Sequence, residues 1–121
     1  MLTLDHRSGL PLYEQIKQSV IGLIVNGALS EGEALPSVRE LAGSLSINPN
    51  TIARAYRDLE SEGYIFSVQG KGNFVQKSDQ ALKNRREQLL GQFKKTSREL
   101  LLLGAKKTQL TAIIEEETCH D

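Results

Sequence analysis

The sequence predicts a mainly α-helical chain with one small β-hairpin. A winged helix-turn-helix domain is expected over residues 1–77, followed by a short two-helix tail over 78–121. Three observations predict this. Apolar residues recur at helical spacing in three stretches between residues 11 and 62. Only the few residues around Ser46 and Ile47 separate the last two of those helices, the spacing of a helix-turn-helix. Finally, "YIFSVQGKGNFV" at 64–75 reads as a strand, a glycine turn and a returning strand.

In "LPLYEQIKQSVIGLIVNGALSEG", Leu12, Ile16, Val20, Leu23 and Ile24 fall on one helical stripe. Pro11 suits a first turn and Gly27 a stop, so the first helix is expected over about 11–26. A turn through Ser30 to Gly32 follows, and Pro36 holds Leu35 in extended backbone. Ser37 and Glu40 have capping-box spacing and open a second helix to about residue 45, burying Val38, Leu41 and Leu45. Asn48 is a good N-cap and Pro49 suits the next position, where a missing N–H is harmless. The third helix should run from Pro49 to Glu62 and end at Gly63. Its core face is Ile52, Ala55, Tyr56 and Leu59, and its opposite face Asn50, Arg54, Arg57 and Ser61.

Beyond Lys77, Ser78 or Asp79 can cap a long helix with Leu82, Leu89, Phe93 and Leu100 spaced seven, four and seven apart. That stretch is about 24 residues, or roughly 36 Å of helix, more than so small a winged domain could cover. Gly91 and the capping-box mimic "TSRE" at 96–99 mark Thr96 as a candidate break. Gly104 should end the helix, and "KKTQLTAIIEEE" predicts a shorter one with Leu110, Ile113 and Ile114 on one face.

Composition narrows the function. At 121 residues there is room for one core and an extension. Fifteen basic residues balance fifteen acidic ones, seven against eight up to Lys77 and eight against seven beyond, so no overall cationic field draws the chain to nucleic acid or membrane. Any anionic partner must be held by local placement. With no signal-like start, no long apolar run and Cys119 as the single cysteine, a cytoplasmic protein without disulfides or membrane is expected. Catalysis finds little support. His6 and His120 lie near opposite ends, the acidic run 115–117 reads as a solvated helix end, and no metal-ligand spacing occurs. No cofactor or metal is expected.

A reading head is better supported. Pro49 fixes the first turn of the third helix, so its free backbone donors and the side chains of Asn48, Asn50 and Thr51 gather where partial positive charge favours phosphate or an electron-rich groove. Arg54 extends that face by a turn. Asparagine suits adenine, arginine guanine, and threonine a base edge or a thymine methyl. The plainer alternative makes Asn48 a cap and Asn50 and Arg54 ordinary solvated residues; the adjacent wing weighs against it. Gly70 and Gly72 flank Lys71, allowing a tight tip to approach phosphate, though a hairpin alone also needs such glycines. Arg39, in the first turn of the second helix, is mildly at odds with the helix dipole, which favours an anionic partner. Tyr13, Tyr56 and Tyr64 fall on apolar faces and read as packed residues.

Four stretches, "PLYEQI" (11–16), "LPSVRELA" (35–42), "NPNTIARAYRDLESEGYI" (48–65) and "GKGNFV" (70–75), resemble the winged N-terminal domain of GntR-family transcriptional regulators. The resemblance spans nearly all of 8–76, and the short tail resembles the YtrA-type subfamily, whose two C-terminal helices serve dimerisation. It implies that Arg39, Asn48, Asn50, Thr51, Arg54, Gly70, Lys71 and Gly72 work on double-stranded DNA. It also implies a homodimer burying Leu82, Leu89, Phe93, Leu100, Leu103, Leu110, Ile113 and Ile114. Gln69 and Asn73 depart from the arginine and threonine common in the family's wing, which implies a weaker hold on phosphate there. Repression of a transport or envelope-stress operon is the family expectation. Any small-molecule effector would have to sit in a crevice at the dimer interface or between domain and tail, and no residue is assigned to it. The rival reading is an adaptor that docks another protein on the long helix.

Overall fold

Pro11 starts α1 (Leu12–Val25) from the N-cap position, one residue earlier than a first-turn proline, and no side chain caps that end. Instead Gln15 organises it. Its Nε2 donates to the carbonyls of Asp5 (2.8 Å) and Leu10 (2.9 Å) while its Oε1 accepts from the Asp5 N–H at 2.7 Å. A computed structural model describes residues 4–5, 7, 9–76 and 79–118; the expectations for His6, Ser78, Cys119 and His120 lie outside them.

The capping box forms as expected at α2 (Val38–Leu45): the Glu40 N–H donates to Ser37 Oγ (3.0 Å) and the Ser37 N–H to Glu40 Oε1 (3.2 Å). The turn to α3 (Pro49–Ser61) passes through Ser46 in the left-handed region (φ 55°), which closes α2 by donating to the Ala42 carbonyl. Asn48 then caps α3, its Oδ1 accepting from the Asn50 N–H at 2.8 Å. Gly63, with φ 89°, ends the helix, so the Tyr64 N–H reaches back to the Leu59 carbonyl (2.9 Å).

β1 (Ile65–Val68) and β2 (Gly72–Val75) pair antiparallel, with Ile65 opposite Val75 and Val68 opposite Gly72. The extended segment before α2 adds to β2. Leu35 donates to Asn73 (2.9 Å), Val75 to Glu33 (2.9 Å), and Ala34 bridges Phe74. At the tip the Lys71 N–H closes on the Val68 carbonyl (2.9 Å), which requires the positive φ of Gly70, 77°.

The core collects Ile16, Val20 and Ile24 from α1, Leu41 and Ala42 from α2, and Ile52, Ala55, Tyr56 and Leu59 from α3, closed by Leu35, Tyr64, Ile65 and Val75. Val38 and Leu45, expected inside, are half-buried at its edge because α2 is short and lies over one side of α3. The Tyr56 hydroxyl donates to the Pro36 carbonyl at 2.8 Å. Burial, with the nearby Glu40 charge second, pushes that phenol up to about 12.

α4 (Asp79–Leu102) runs 24 residues without the break considered at Thr96. It ends at Gly104 (φ 99°), where the Ala105 N–H donates to the Leu100 carbonyl (2.9 Å), and α5 (Lys107–Thr118) follows. The chain divides into two compact units, Met1–Arg85 and Arg86–Asp121. The first turns of α4 therefore belong to the N-terminal unit, and neither α4 nor α5 contains a buried residue. No described helix is long and apolar enough to cross a membrane.

Candidate nucleic-acid interface

The start of α3 carries Asn48, Asn50, Thr51 and Arg54. Asn48, Asn50 and Arg54 are exposed and Thr51 is half-buried, its N–H donating to the Asn48 carbonyl (3.0 Å). No acidic residue stands in the first turn of α3, so the positive end of its dipole is unopposed from within the helix. Arg39 is exposed in the first turn of α2, and Lys71 is exposed at the wing tip between Gly70 and Gly72, whose φ of 113° no other residue adopts easily.

How a chain of zero net charge offers a cationic face is answered by where its carboxylates go. Glu40 is held in the capping box. Glu60 accepts from the Ser67 N–H (3.1 Å) and hydroxyl (2.6 Å), tying α3 to the wing. Asp58 and Glu62 face Lys17 of α1, at 3.6 and 2.7 Å; Glu14 joins at 3.6 Å, and Arg85 of α4 meets Glu62 at 3.2 Å. Among the described residues Arg39, Arg54, Arg57 and Lys71 form no ion pair. The acid of α3 lies in its C-terminal half, Asp58 facing Lys17 and Glu60 bonded to Ser67, leaving its opening turns to uncompensated cations.

Lys17 is 8% exposed. Burial alone would lower its pKa, but the hydrogen bond to Glu62 and the charges of Glu62, Glu14 and Asp58 outweigh that and raise it above the ordinary lysine value. Sequence reasoning passed over this lysine. It also passed over what Tyr13 does: the ring is half-buried at the core's edge and the Arg54 guanidinium lies over it, Cζ 3.7 Å from the ring centroid. Spacing offered a faint signal, since Tyr13 and Lys17 are one helical turn apart, as are Arg54 and Asp58.

The residues expected at a partner face divide. Leu82 is half-buried against the N-terminal core rather than free, because the Glu62–Arg85 pair draws the first turns of α4 onto that unit. Leu89, Phe93, Leu100, Leu103, Ile113 and Ile114 are exposed, together with Leu90, Leu101 and Leu102, which the stripe did not include; Leu110 is half-buried. A small apolar concavity of about 40 Å³ is lined by Val20, Leu23, Leu29, Leu35, Pro36, Leu41 and Tyr56. The Tyr56 hydroxyl is already bonded to Pro36, so the concavity offers no side chain to orient a polar ligand. Among the described residues no cluster of histidine, cysteine or carboxylate side chains could hold a metal ion.

The family described as bacterial regulatory proteins, gntR family, matches residues 12–75, more than half of the chain. The chain belongs to the GntR family. It is 45% identical over 75 residues to the HTH-type transcriptional repressor YtrA of Bacillus subtilis (strain 168), a match covering 62% of this chain and 58% of that relative. The chain thus spans less than two thirds of that curated relative's length. Among solved structures, YtrA from Sulfolobus acidocaldarius, a GntR-family transcription factor, is 36% identical with a TM-score of 0.60, over 74% of this chain and 97% of that one. AraR(DBD) in complex with operator ORR3 is 34% identical with a TM-score of 0.53, over 60% of this chain and 88% of that one. The GntR match begins with α1 and ends with β2, so it covers the whole winged helix-turn-helix.

Proposed function

We propose that this GntR-family chain is a sequence-specific DNA-binding regulator of transcription, acting in the cytoplasm as a homodimeric repressor on an inverted-repeat operator. The observation that carries the reading is the opening of α3, where Asn50, Thr51 and Arg54 stand at an unopposed helix N-terminus while the helix's carboxylates lie in its C-terminal half, Asp58 facing Lys17 and Glu60 bonded to Ser67. AraR(DBD), which shares the fold and is bound to an operator, supports duplex DNA as the ligand. Asn50, Thr51 and Arg54 read base edges in the major groove, Asn48 and Arg39 hold phosphates beside them, and the Gly70-Lys71-Gly72 tip brings backbone and charge to the adjacent strand.

A second copy covers the exposed apolar face of α4 and α5, and two-fold symmetry then requires a pseudo-palindrome with half-sites about 34 Å apart or a multiple of it. The operon class proposed is transport or envelope stress. Selecting bound fragments from a genomic DNA pool at near-physiological salt, and sequencing them, tests the reading. One recovered inverted repeat upstream of genes whose transcripts rise on deletion is the expected outcome. Unbiased DNA, or none, would refute it. The same apolar face is what an adaptor would offer a different protein; a monomeric mass for the purified chain would favour that reading, and a stable homodimer would remove it.

A further inference from the structure

Arg54 is a long, rotamer-rich side chain on an exposed helix face, yet it is held in place. With Cζ 3.7 Å from the Tyr13 centroid, the guanidinium sits over the face of the ring at stacking distance. A flat stack uses the guanidinium's face and leaves its N–H donors, which lie in its plane, directed outward. The usual competitor for those donors is an acidic residue one turn along the helix, and Asp58 occupies that position. Lys17, one turn beyond Tyr13 on α1, meets Asp58 at 3.6 Å, and Arg54 makes no ion pair among the described residues. α1 therefore offers α3 two successive contacts: an aromatic platform that orders the arginine, and an ammonium that occupies its acidic neighbour.

We propose that Tyr13 is a positioning residue for sequence reading: it holds the Arg54 guanidinium in one plane before DNA arrives, so that its paired donors meet a single base edge in register. This rests on the assignment of Arg54 to base reading. The ring's face does this work, and no described hydrogen bond uses the Tyr13 hydroxyl, so phenylalanine should serve as well as tyrosine.

The test measures competition between the duplex recovered by selection and its single base-pair variants, for the intact dimer carrying Tyr13→Phe, Tyr13→Leu, Arg54→Ala or both Tyr13→Leu and Arg54→Ala. Arg54→Ala should abolish preference at one base pair of each half-site. Tyr13→Leu should weaken preference at that same pair by about two- to five-fold, the strength of an exposed cation–π contact, with the salt dependence unchanged. Tyr13→Phe should keep it, and Tyr13→Leu should have no further effect on preference once Arg54 is alanine. Proton NMR supplies a readout of the stack itself: ring-current shifts of the Arg54 side chain persist in Tyr13→Phe and vanish in Tyr13→Leu. If Tyr13→Leu lowers affinity for all sequences alike, or leaves preference intact while Arg54→Ala relaxes it, the positioning role is refuted and base reading by Arg54 stands. If Arg54→Ala leaves every preference intact, base reading by Arg54 fails and the positioning role falls with it.

Discussion

Phe93→Asp is the sharpest test of two-fold association. Phe93 is 53% exposed within the protomer, so covering its free half against a partner stabilises the pair by about 0.8 to 1.5 kcal/mol, half the roughly 1.5–3 for burying such a side chain fully. Symmetry counts the contact twice, giving about 1.5 to 3 kcal/mol. Two carboxylates forced into a face that has lost its water add about 1 to 2 kcal/mol more. The total, about 4 kcal/mol, is roughly a thousand-fold in the dimer dissociation constant. Sedimentation equilibrium across a dilution series should show the wild-type chain as a dimer and the variant as a monomer at the same concentrations. Helix content should hold, because α4 has no buried residue. Binding to the full inverted repeat should drop towards that for a half-site. An unchanged dimer mass would refute the assignment of this face, and a loss of helix at unchanged mass would show that Phe93 supports the protomer instead.

Other consequences follow from the N-terminal unit. The Tyr56 phenol, pushed up to about 12, keeps its proton more tightly folded than unfolded. Its contribution is therefore complete below about pH 10 and lost as pH rises towards 12, and the raised Lys17 acts in the same direction. Urea unfolding along an alkaline series should show that loss, and Tyr56→Phe should flatten it while costing about 1 kcal/mol near neutrality for the Pro36 hydrogen bond. Glu62→Gln removes the charge that Lys17 meets at 2.7 Å and Arg85 at 3.2 Å, and should cost about 2 kcal/mol in denaturant unfolding. Amide exchange should then speed up over residues 79–85, because that pair ties the first turns of α4 down. Two glycine replacements should differ in sign. Gly43→Ala, in a helix with open space at its Cβ, should raise stability by about 0.5 to 1 kcal/mol, whereas Gly70→Ala, at φ 77°, should lower it by about 1 to 2.

Much of this architecture was legible because its signals are local. The Ser37–Glu40 box, the Asn48 cap followed by Pro49, and the glycines closing α3, the wing and α4 each satisfy backbone groups within a few positions, so residue type and spacing are enough to place them. The candidate reading residues were legible for the same reason, as they cluster at one helix start. Helix ends were less so. Pro11 sits one position outside α1 because Gln15 can gather the preceding carbonyls, a role for which the sequence carries no pattern. "TSRE" imitates a capping box inside α4, but Lys94 and Lys95 before it and Leu100 to Leu102 after it are strong helix formers that carry the helix through.

By itself, then, the sequence determined which segments are helix and hairpin, which face of each is apolar, and which polar residues open α3, since all three depend on neighbours along the chain. Only the tertiary structure decided what the charges do. Lys17 and Glu62 are 45 positions apart, and nothing in either neighbourhood marks them as partners until α1 packs on α3. That packing buries Lys17 among carboxylates and lays Arg54 on Tyr13. The physical reason is that Coulomb attraction and stacking act through space at a few ångströms, where separation along the chain no longer counts.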